Sequence, residues 1–351
     1  MKRIGQIGGK KLYDLIKDRD NIAKAVKAAC RDHRKDPAVQ RMKEDPDPYI
    51  DAVARILEDE AFHYSKFRHK KIYERGKWRE LCYTRTFPDR IVQHAVMQVV
   101  APILLGTCTA DTYAAREGKG IHHASVEVRR DLEADPEGTQ YCLKMDVRRY
   151  FDNIDRDILF AKLKRKLKCR RTLDILHVMI YECPGKKGLP IGLYSSQIFS
   201  SFYLSDFDHY IKERIGVSYY YRYMDDLVIL WRGKSLLHHY LAAIRVRLAR
   251  EGLEVKHNWQ IFPVESRGID FLGYVMRRSH ARIRKRVKIS YRRSCDRIIR
   301  CLRTREPVTG HMMASKTSYE GMLSWCDARH LINHYGGRVY RAVEFGLEAL
   351  A

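Results

Sequence analysis

The most constraining feature of the sequence is a pair of aspartates inside a segment that otherwise favours a buried β-sheet. Asp225 and Asp226 follow the mainly aromatic stretch 219–223 and precede the apolar stretch 227–231. Aromatic and β-branched residues prefer strands, and a turn at Met224-Asp225 would fold the segment into a hairpin with both acids at its tip. Adjacent carboxylates in such a setting repel each other and lose hydration, so they require a cationic partner.

A third acid ends another apolar strand. Asp146 follows the run Tyr141–Met145. If the two strands are neighbours, Asp146 and Asp225 face each other across a site for two metal ions roughly 3.5–4 Å apart. Carboxylate and phosphate oxygens suit Mg²⁺, with Mn²⁺ as the alternative ion. One ion would activate a 3′-hydroxyl and the other would hold a triphosphate, so the pattern predicts phosphoryl transfer without a protein nucleophile.

The charge balance predicts a polyanionic partner. The 351 residues include 67 Lys and Arg against 43 Asp and Glu, for a formal net charge of +24. Nucleic acid is the first candidate, because its phosphates release counterions when they meet cations. Between residues 277 and 305, Asp296 is the one acid beside thirteen Lys or Arg, which suits contact with a duplex or structured RNA.

The sequence indicates neither a membrane-spanning protein nor a disulfide-stabilised one. No stretch approaches the ~20 apolar residues that span a bilayer. The nine cysteines are scattered without CxxC spacing, which predicts reduced thiols and no zinc site. These observations favour a cytoplasmic protein.

The periodicity of the chain predicts an α+β fold. A hairpin is expected at 67–85, and Asp47 is expected to cap the helix that carries Ile50. Helices are also predicted over 10–60, 89–100, 155–182, 195–214, 234–251 and 311–351, and other strands at 141–147, 253–264 and 269–277.

Five short motifs, in chain order over about residues 67–275, together resemble the reverse transcriptases. Each motif alone is weak, and the order of all five carries the resemblance. They are Lys77–Leu81 (fingers motif that grips the triphosphate), Asp146-Val147 with Phe151 (first carboxylate motif), Leu189–Gln197 (substrate-contacting loop and helix), Tyr223–Asp226 (signature box) and Phe271–Tyr274 (primer-grip hairpin).

The resemblance implies a right-hand polymerase fold and RNA-directed DNA polymerase activity on dNTPs. The fold has fingers, a palm built on an antiparallel sheet, and a helical basic thumb. The implied division is an N-terminal helical extension at 1–60, fingers at 61–140, a palm at 141–276 with a fingers insertion near 155–190, and thumb and C-terminal helices at 277–351.

The resemblance also assigns roles to residues. Phe151 would act as a sugar gate, because an aromatic ring under C2′ leaves no room for a hydroxyl and so favours deoxynucleotides. The assigned residues are Asp146, Asp225 and Asp226 (catalysis), the same three with Val147 (two Mg²⁺ ions), Lys77, Arg79, Phe151, Gly192 and Gln197 (nucleotide), and Phe271, Leu272, Gly273, Tyr274, Arg284, Lys285 and Arg286 (template and primer).

Two departures from the usual loop motif narrow the resemblance. Most relatives carry Gln-Gly and Ser-Pro where this chain has Ile191-Gly192 and Ser196-Gln197. This is similar to the reverse transcriptases of bacterial and phage diversity-generating retroelements. Such enzymes copy a structured non-coding RNA into cDNA with errors at adenines, and they work with a small basic accessory protein.

Three alternatives stay open at this point. Related bacterial enzymes serve in antiphage defence and share some of these departures. A template-independent or RNA-synthesising polymerase would use the same palm, although Phe151 argues against RNA synthesis. A catalytically silent RNA-binding scaffold is the third, although such a relative should have lost one of its acids.

Overall fold

A computed structural model describes residues 4–31, 36–74 and 77–345, without the side chains of Glu74 and Lys77. Across these residues the strands are β1 (Gln6–Ile7), β2 (Lys10–Lys11), β3 (Arg68–Glu74), β4 (Lys77–Tyr83), β5 (Tyr141–Asp146), β6 (Tyr219–Tyr223), β7 (Asp226–Trp231), β8 (Gln260–Pro263), β9 (Ile269–Phe271), β10 (Tyr274–Met276) and β11 (Ala281–Ile283).

Helices connect and cover these strands. Wider helical turns occupy Thr86–Arg90, Tyr210–Arg214 and Ile332–Gly336. The helices are α1 (Leu12–Ile16), α2 (Arg19–Ala29), α3 (Pro37–Glu44), α4 (Asp47–Glu58), α5 (Ile91–Leu105), α6 (Ile121–Ala134), α7 (Tyr150–Asn153), α8 (Arg156–Lys166), α9 (Arg170–Tyr181), α10 (Tyr194–Tyr203), α11 (Ser205–His209), α12 (Lys234–Ala249), α13 (Val264–Arg267), α14 (Lys285–Arg303), α15 (Gly310–Leu323), α16 (Arg329–Leu331) and α17 (Gly337–Glu344).

The chain divides into two compact units. The first unit contains the described parts of 1–115 with 147–216 and 243–256, and the second contains 116–146, 217–242 and the described part of 257–351. The predicted division into four segments (extension, fingers, palm and thumb) is a different one, and it stays a prediction.

The core of the first unit is built around α5. Its residues are buried on every side of the helix, including Ile91, Val92, Val96 and Val100. A helix that is apolar all round lies inside a protein, which explains its central position among shorter amphipathic helices. The hairpin of β3 and β4 also belongs to this unit and pairs from Arg68 with Tyr83 onward.

The core of the second unit is a four-stranded antiparallel sheet in the order β6-β7-β5-β8. Residues Leu227 to Leu230 of β7 are all fully buried, although alternate residues of a strand point to opposite faces. Both faces of the sheet are therefore covered. A separate sheet in the order β11-β10-β9 lies later in the same unit.

Helix α6 is joined to the edge strand of the larger sheet by two hydrogen bonds. The hydroxyl of Tyr219 donates to Asp135 at 2.7 Å, and that of Tyr221 donates to Asp131 at 2.6 Å. The aromatic stretch therefore supplies both apolar surface and fixed polar anchors for β6.

The predicted α+β class and most predicted elements are confirmed, with three corrections. The helix expected at 155–182 is two helices, because the chain turns at Leu167 and pairs there with Ile4. The strand expected at 253–264 is confined to β8. Asp47 makes no cap, because it is already the first residue of α4 and Pro46 occupies the N-cap position; its carboxylate pairs with Arg19 at 3.1 Å. All nine cysteines are free thiols.

Candidate active site

The three aspartates meet at one end of the four-stranded sheet. Asp146 is the last residue of β5 and Asp226 the first of β7, and the two are direct cross-strand partners. Tyr223 of β6 is the partner of Asp226 on its other side, so Met224 and Asp225 form the predicted turn. The strand register therefore places Asp226 opposite Asp146 and Asp225 in the adjoining turn. That Asp225 faces Asp146 across a metal site stays a prediction.

The Asp226 carboxyl lies in an environment that disfavours its charge. Its Oδ1 atom is buried and has no hydrogen-bond partner among the described residues. Burial, repulsion from Asp146, a hydrogen bond with Asp146 and repulsion from Asp225 raise the pKa of Asp226 to about 7, while Lys144 acts in the opposite direction. One pKa unit corresponds to about 1.4 kcal/mol, so an ionised Asp226 costs the fold on the order of a few kcal/mol.

The chemistry of this acid pair, Asp146 and Asp226, fits a divalent metal ion. A cation would remove the repulsion and would provide a partner for the buried Oδ1 atom. Across residues 4–31, 36–74 and 77–345, no three His, Cys, Asp or Glu side chains are grouped to hold one ion. The strand register thus brings Asp146 and Asp226 together, and the charge of the neighbouring Asp225 also acts on Asp226. Val147 has no ligating side chain, so only its backbone carbonyl can take part.

Two basic residues near the acids were missed in the sequence. Lys144 lies two residues before Asp146 on β5, hence on the same face, and its Nζ atom donates to the carbonyl of Asp270. Arg222 is fully buried, and its Nη1 atom donates to the carbonyl of Met224 at 3.1 Å. Met224 has a φ of 54°, a left-handed conformation that residues other than glycine rarely adopt. Arg222 therefore braces the turn that carries Asp225.

The predicted primer-grip segment is a tight hairpin between β9 and β10. Phe271 and Tyr274 are cross-strand partners, and Leu272 and Gly273 form the turn with φ values of 54° and 98°. Both aromatic side chains are fully buried, and the Tyr274 hydroxyl donates to the carbonyl of Met322 at 3.0 Å. These two side chains anchor the hairpin, which leaves the Leu272-Gly273 turn as its accessible part. The role in primer binding stays a prediction.

Helix α14 carries the basic segment predicted for the thumb. Its buried face is lined by Tyr291, Cys295 and Ile298. Asp296 pairs with Arg292 at 3.4 Å, and Arg284 forms an ion pair with Asp270 just before the helix. The exposed cations of the helix are Lys285, Arg286, Lys288, Arg292, Arg293, Arg297, Arg300 and Arg303.

The five predicted nucleotide contacts all belong to the first unit. Lys77 begins β4, but its side chain lies outside the described residues, while Arg79 is exposed on the same strand. Phe151 lies in α7, half-buried against Tyr150 with ring centroids 5.7 Å apart. Gly192 and Gln197 lie just before and within α10. Their contact with a nucleotide stays a prediction.

A cavity of about 950 Å³ in the first unit is lined by two of these residues, Gly192 and Gln197. His94 and Tyr194 stack in its wall with ring centroids 4.7 Å apart, and burial lowers the pKa of His94 to about 4, so this ring is neutral. Arginines supply positive charge around the cavity: Arg31, Arg68, Arg85 and Arg90.

Gly192 has a structural role that the sequence did not reveal. Its φ is 120°, and a Cβ atom added there would lie 2.4 Å from the carbonyl oxygen of Cys82. The neighbouring carbonyl of Ile191 accepts a hydrogen bond from the Cys82 amide at 2.7 Å. The loop therefore lies directly against strand β4, and only glycine allows this approach.

Substitution of Gly192 by alanine is expected to lower the free energy of unfolding by about 1–3 kcal/mol, because the methyl group would force the loop away from β4. Urea denaturation of the two proteins measures the difference. Gly233→Ala is the matched control, since a Cβ atom there meets nothing within 4 Å. Equal losses in both variants would contradict the proposed contact.

Comparison with known proteins identifies the family. The family model described as reverse transcriptase (RNA-dependent DNA polymerase) matches residues 68–276, which is more than half of the chain. The chain belongs to the reverse transcriptases. It carries the domain of an RNA-directed DNA polymerase, which is a nucleotidyltransferase. All three aspartates and the 271–274 hairpin lie inside the matched region, whereas α14 lies beyond it.

Individual relatives of this reverse transcriptase are distant. Protein YkfC of Escherichia coli (strain K12) is 26% identical over 175 residues, which cover 46% of this chain and 45% of YkfC. Telomerase from Candida albicans, in complex with a TWJ fragment of telomeric RNA, has a TM-score of 0.50 and 14% identity and covers 67% of this chain and 51% of the telomerase. Apo telomerase from Candida tropicalis has a TM-score of 0.46 and 15% identity over 60% of this chain and 46% of that protein.

The chain spans about half the length of the relatives that it matches. The family match and the mixture of helices with antiparallel sheets place this reverse transcriptase in the right-hand polymerase fold. None of its described helices combines the length and the apolar character that crossing a membrane requires.

Proposed function

We propose that this reverse transcriptase synthesises cDNA on a template RNA by two-metal-ion nucleotidyl transfer, using dNTPs and Mg²⁺. The observation that carries the proposal is the cross-strand pairing of Asp146 with Asp226 beside the Asp225 turn. A buried pair of like charges is costly, and a fold retains it where a cation is bound in use.

The acids and the residues next to them would have different roles in the reaction. Asp146, Asp225 and Asp226 would hold the metal ions, with the backbone carbonyl of Val147 as a further ligand. Magnesium bound there would supply the positive charge that phosphoryl transfer requires. Asp226 must be ionised to bind a metal ion. Lys144 favours the ionised form because its positive charge lowers the pKa of Asp226. The protein itself mainly positions charges.

The other predicted residues would hold the substrates. Lys77 and Arg79 would bind the triphosphate, since an arginine can hold two phosphate oxygens at once. The 271–274 hairpin would contact the primer. Lys285 and Arg286 lie exposed in the first turn of α14. The positive end of the helix dipole repels cations at this position. A phosphate of the template–primer duplex bound there would offset that repulsion.

Primer extension on an RNA template tests the proposed activity. The wild-type protein is expected to extend a DNA primer with dNTPs in Mg²⁺ and to stop when EDTA is added. NTPs in place of dNTPs distinguish an RNA-synthesising enzyme, and omission of the template distinguishes a template-independent one. Absence of extension under all conditions, with an unchanged cellular phenotype in an Asp225→Asn/Asp226→Asn variant, would favour an RNA-binding scaffold.

Phe151→Val is expected to relax the choice of sugar. A smaller side chain would leave room for a 2′-hydroxyl, so the ratio of kcat/KM for dATP over ATP should fall by about 10- to 200-fold. Steady-state extension with each nucleotide measures the ratio. Phe160→Val, which alters a ring packed near His177 on other helices, is the matched control and should keep the wild-type ratio.

We further propose that the enzyme is error-prone and belongs to a bacterial or phage-encoded diversity-generating retroelement, and that it acts in the cytoplasm. Ile191 and Gln197 are the residues on which the error rate is expected to depend. Gln197 lines the cavity of the first unit. Variants at these two positions should change the misincorporation spectrum opposite adenine, and an unchanged spectrum would contradict the assignment.

Sequencing the cDNA made on co-purified RNA identifies the biological role. A template repeat with a variable partner elsewhere in the genome supports the retroelement, and co-purification of a small basic protein would identify the accessory partner. A dedicated non-coding RNA copied without such a repeat would favour antiphage defence instead.

A further inference from the structure

His122, a residue that the proposed function does not use, lies beside the predicted primer-grip hairpin. It is the second residue of α6, and its Nδ1 atom lies 2.7 Å from the hydroxyl oxygen of Tyr274. Its ring also stacks on Trp325, with centroids 5.1 Å apart and planes inclined by 6°. These three residues come from distant parts of the chain and belong to the same compact unit. The contacts therefore join the start of α6, the hairpin and the segment that follows α15.

The hydrogen bonds of the Tyr274 hydroxyl determine which nitrogen of His122 carries a proton. This hydroxyl has one hydrogen atom, which it donates to the carbonyl of Met322 at 3.0 Å. Its oxygen can then only accept from His122, so the Nδ1 atom must be the donor. Burial lowers the pKa of His122 below its ordinary value of 6.5, which favours the neutral ring. A neutral ring with its proton on Nδ1 is therefore the form that this contact requires.

Tyr274 fixes the hairpin at two points. Its side chain is fully buried, and its hydroxyl is the one polar side-chain group among residues 271–274. One of its hydrogen bonds goes to α6 and the other to the last turn of α15. Met322 also meets the turn, since a Cβ atom added at Gly273 would lie 3.5 Å from the Met322 Cε atom. The accessible turn of the hairpin is thus supported by α6 and α15 together.

A fixed support is important because the placement of a primer end controls the rate of nucleotidyl transfer. A displacement of about 1 Å between reacting groups can lower a rate by about a hundredfold. We propose that His122 is a positioning residue: its hydrogen bond to Tyr274 fixes the orientation of the 271–274 hairpin and so of the primer 3′ end. The proposal rests on the proposed function in taking that hairpin to contact the primer.

Steady-state primer extension tests this role with variants that separate the hydrogen bond from the ring stack. His122→Phe keeps a ring against Trp325 but has no N–H group, and Tyr274→Phe lacks the hydroxyl. Each should lower kcat at least about tenfold with a nearly unchanged KM for dNTPs, because the hairpin aligns the primer and does not bind the dNTP. His122→Asn, whose side-chain N–H group replaces that of Nδ1, should retain most of the wild-type kcat.

The double variant His122→Phe/Tyr274→Phe should be no slower than Tyr274→Phe alone, since both substitutions remove the same hydrogen bond. His239→Phe is the matched control and should keep the wild-type kcat, because His239 is exposed on α12 and its Nδ1 atom contacts the Ser235 carbonyl of the same helix. The proposal is overturned if His122→Phe keeps the wild-type kcat, if His122→Asn is as slow as His122→Phe, or if the effects of the two Phe substitutions multiply.

Nitrogen NMR of the full chain with isotope-labelled histidine tests the hydrogen bond without relying on activity. At about pH 8 the ring of His122, assigned by the loss of its signals in His122→Asn, should carry its proton on Nδ1, and Tyr274→Phe should remove that preference. A proton on Nε2 in the wild type would overturn the proposal. Absence of primer extension by the wild type would instead refute the proposed function, so the two failures are distinguishable.

Discussion

Replacement of Asp226 by Asn is expected to abolish primer extension and, at the same time, to stabilise the metal-free protein. Burial and repulsion from Asp146 raise the pKa of Asp226 to about 7. An acid with a higher pKa in the folded state binds more protons there than in the unfolded chain. Its contribution to stability is therefore greatest below its ordinary pKa near 4 and is lost as the pH rises toward about 7. Asn carries no charge and avoids that loss.

Melting temperatures and activity together measure this prediction. At about pH 8 in EDTA, each kcal/mol of relieved repulsion should raise the melting temperature of Asp226→Asn by roughly 2–4 °C above wild type. Added MgCl₂ should raise the melting temperature of the wild type and leave the variant nearly unchanged, because the variant has lost a ligand. Its kcat should fall by at least about a hundredfold, since the missing carboxylate no longer holds charge at the reacting phosphate.

Asp174→Asn is the matched control for this substitution, because Asp174 is exposed on α9 and forms a long ion pair of 3.9 Å with Arg170. It should change neither stability nor activity. If Asp226→Asn melts below wild type in EDTA, or if Mg²⁺ stabilises both proteins equally, the acid pair is a structural feature and the metal assignment is wrong.

The local elements of the site could be predicted from the sequence because each depends on neighbours along the chain. The apolar strand ending in Asp146 and the hairpin around Asp225 follow from side-chain preferences that act over a few residues. The basic face of α14 follows from composition in the same way, since one acid among the eight cations of the helix leaves few other arrangements.

Relations between distant segments could not be predicted in this way. The cross-strand partner of Asp146 depends on the register of two strands, which places Asp226 opposite it and Asp225 in the turn. Gly192 was assigned to a nucleotide, yet its φ and its contact with Cys82 reflect a strand that lies over a hundred residues earlier. Sequence spacing carries no information about such contacts, so this packing role could not be predicted, and the contact of Gly192 with a nucleotide stays a prediction.

Substitution of Arg222 by Ala is expected to be the most destabilising single change near the site, with a loss of about 3–5 kcal/mol. The side chain is among the largest fully buried ones, so its removal leaves a cavity of aromatic size. The half-buried carbonyl of Met224 also loses the hydrogen bond from Arg222, which adds to the cost. Urea denaturation measures the loss, and Arg282→Ala, an exposed arginine on β11, should lose little.

Arg222→Met separates the packing of this residue from its hydrogen bond. Methionine fills much of the same volume, so the variant should fold, but it offers no N–H group to the Met224 carbonyl. Without that bond, the left-handed conformation of Met224 loses one of its supports, and the Asp225 carboxylate is expected to be held less firmly. A positioning role predicts a kcat at least about tenfold lower with the KM for dNTPs nearly unchanged. Wild-type kcat in Arg222→Met would mean that strand pairing alone holds the turn, and the arginine would then serve the core and not the reaction.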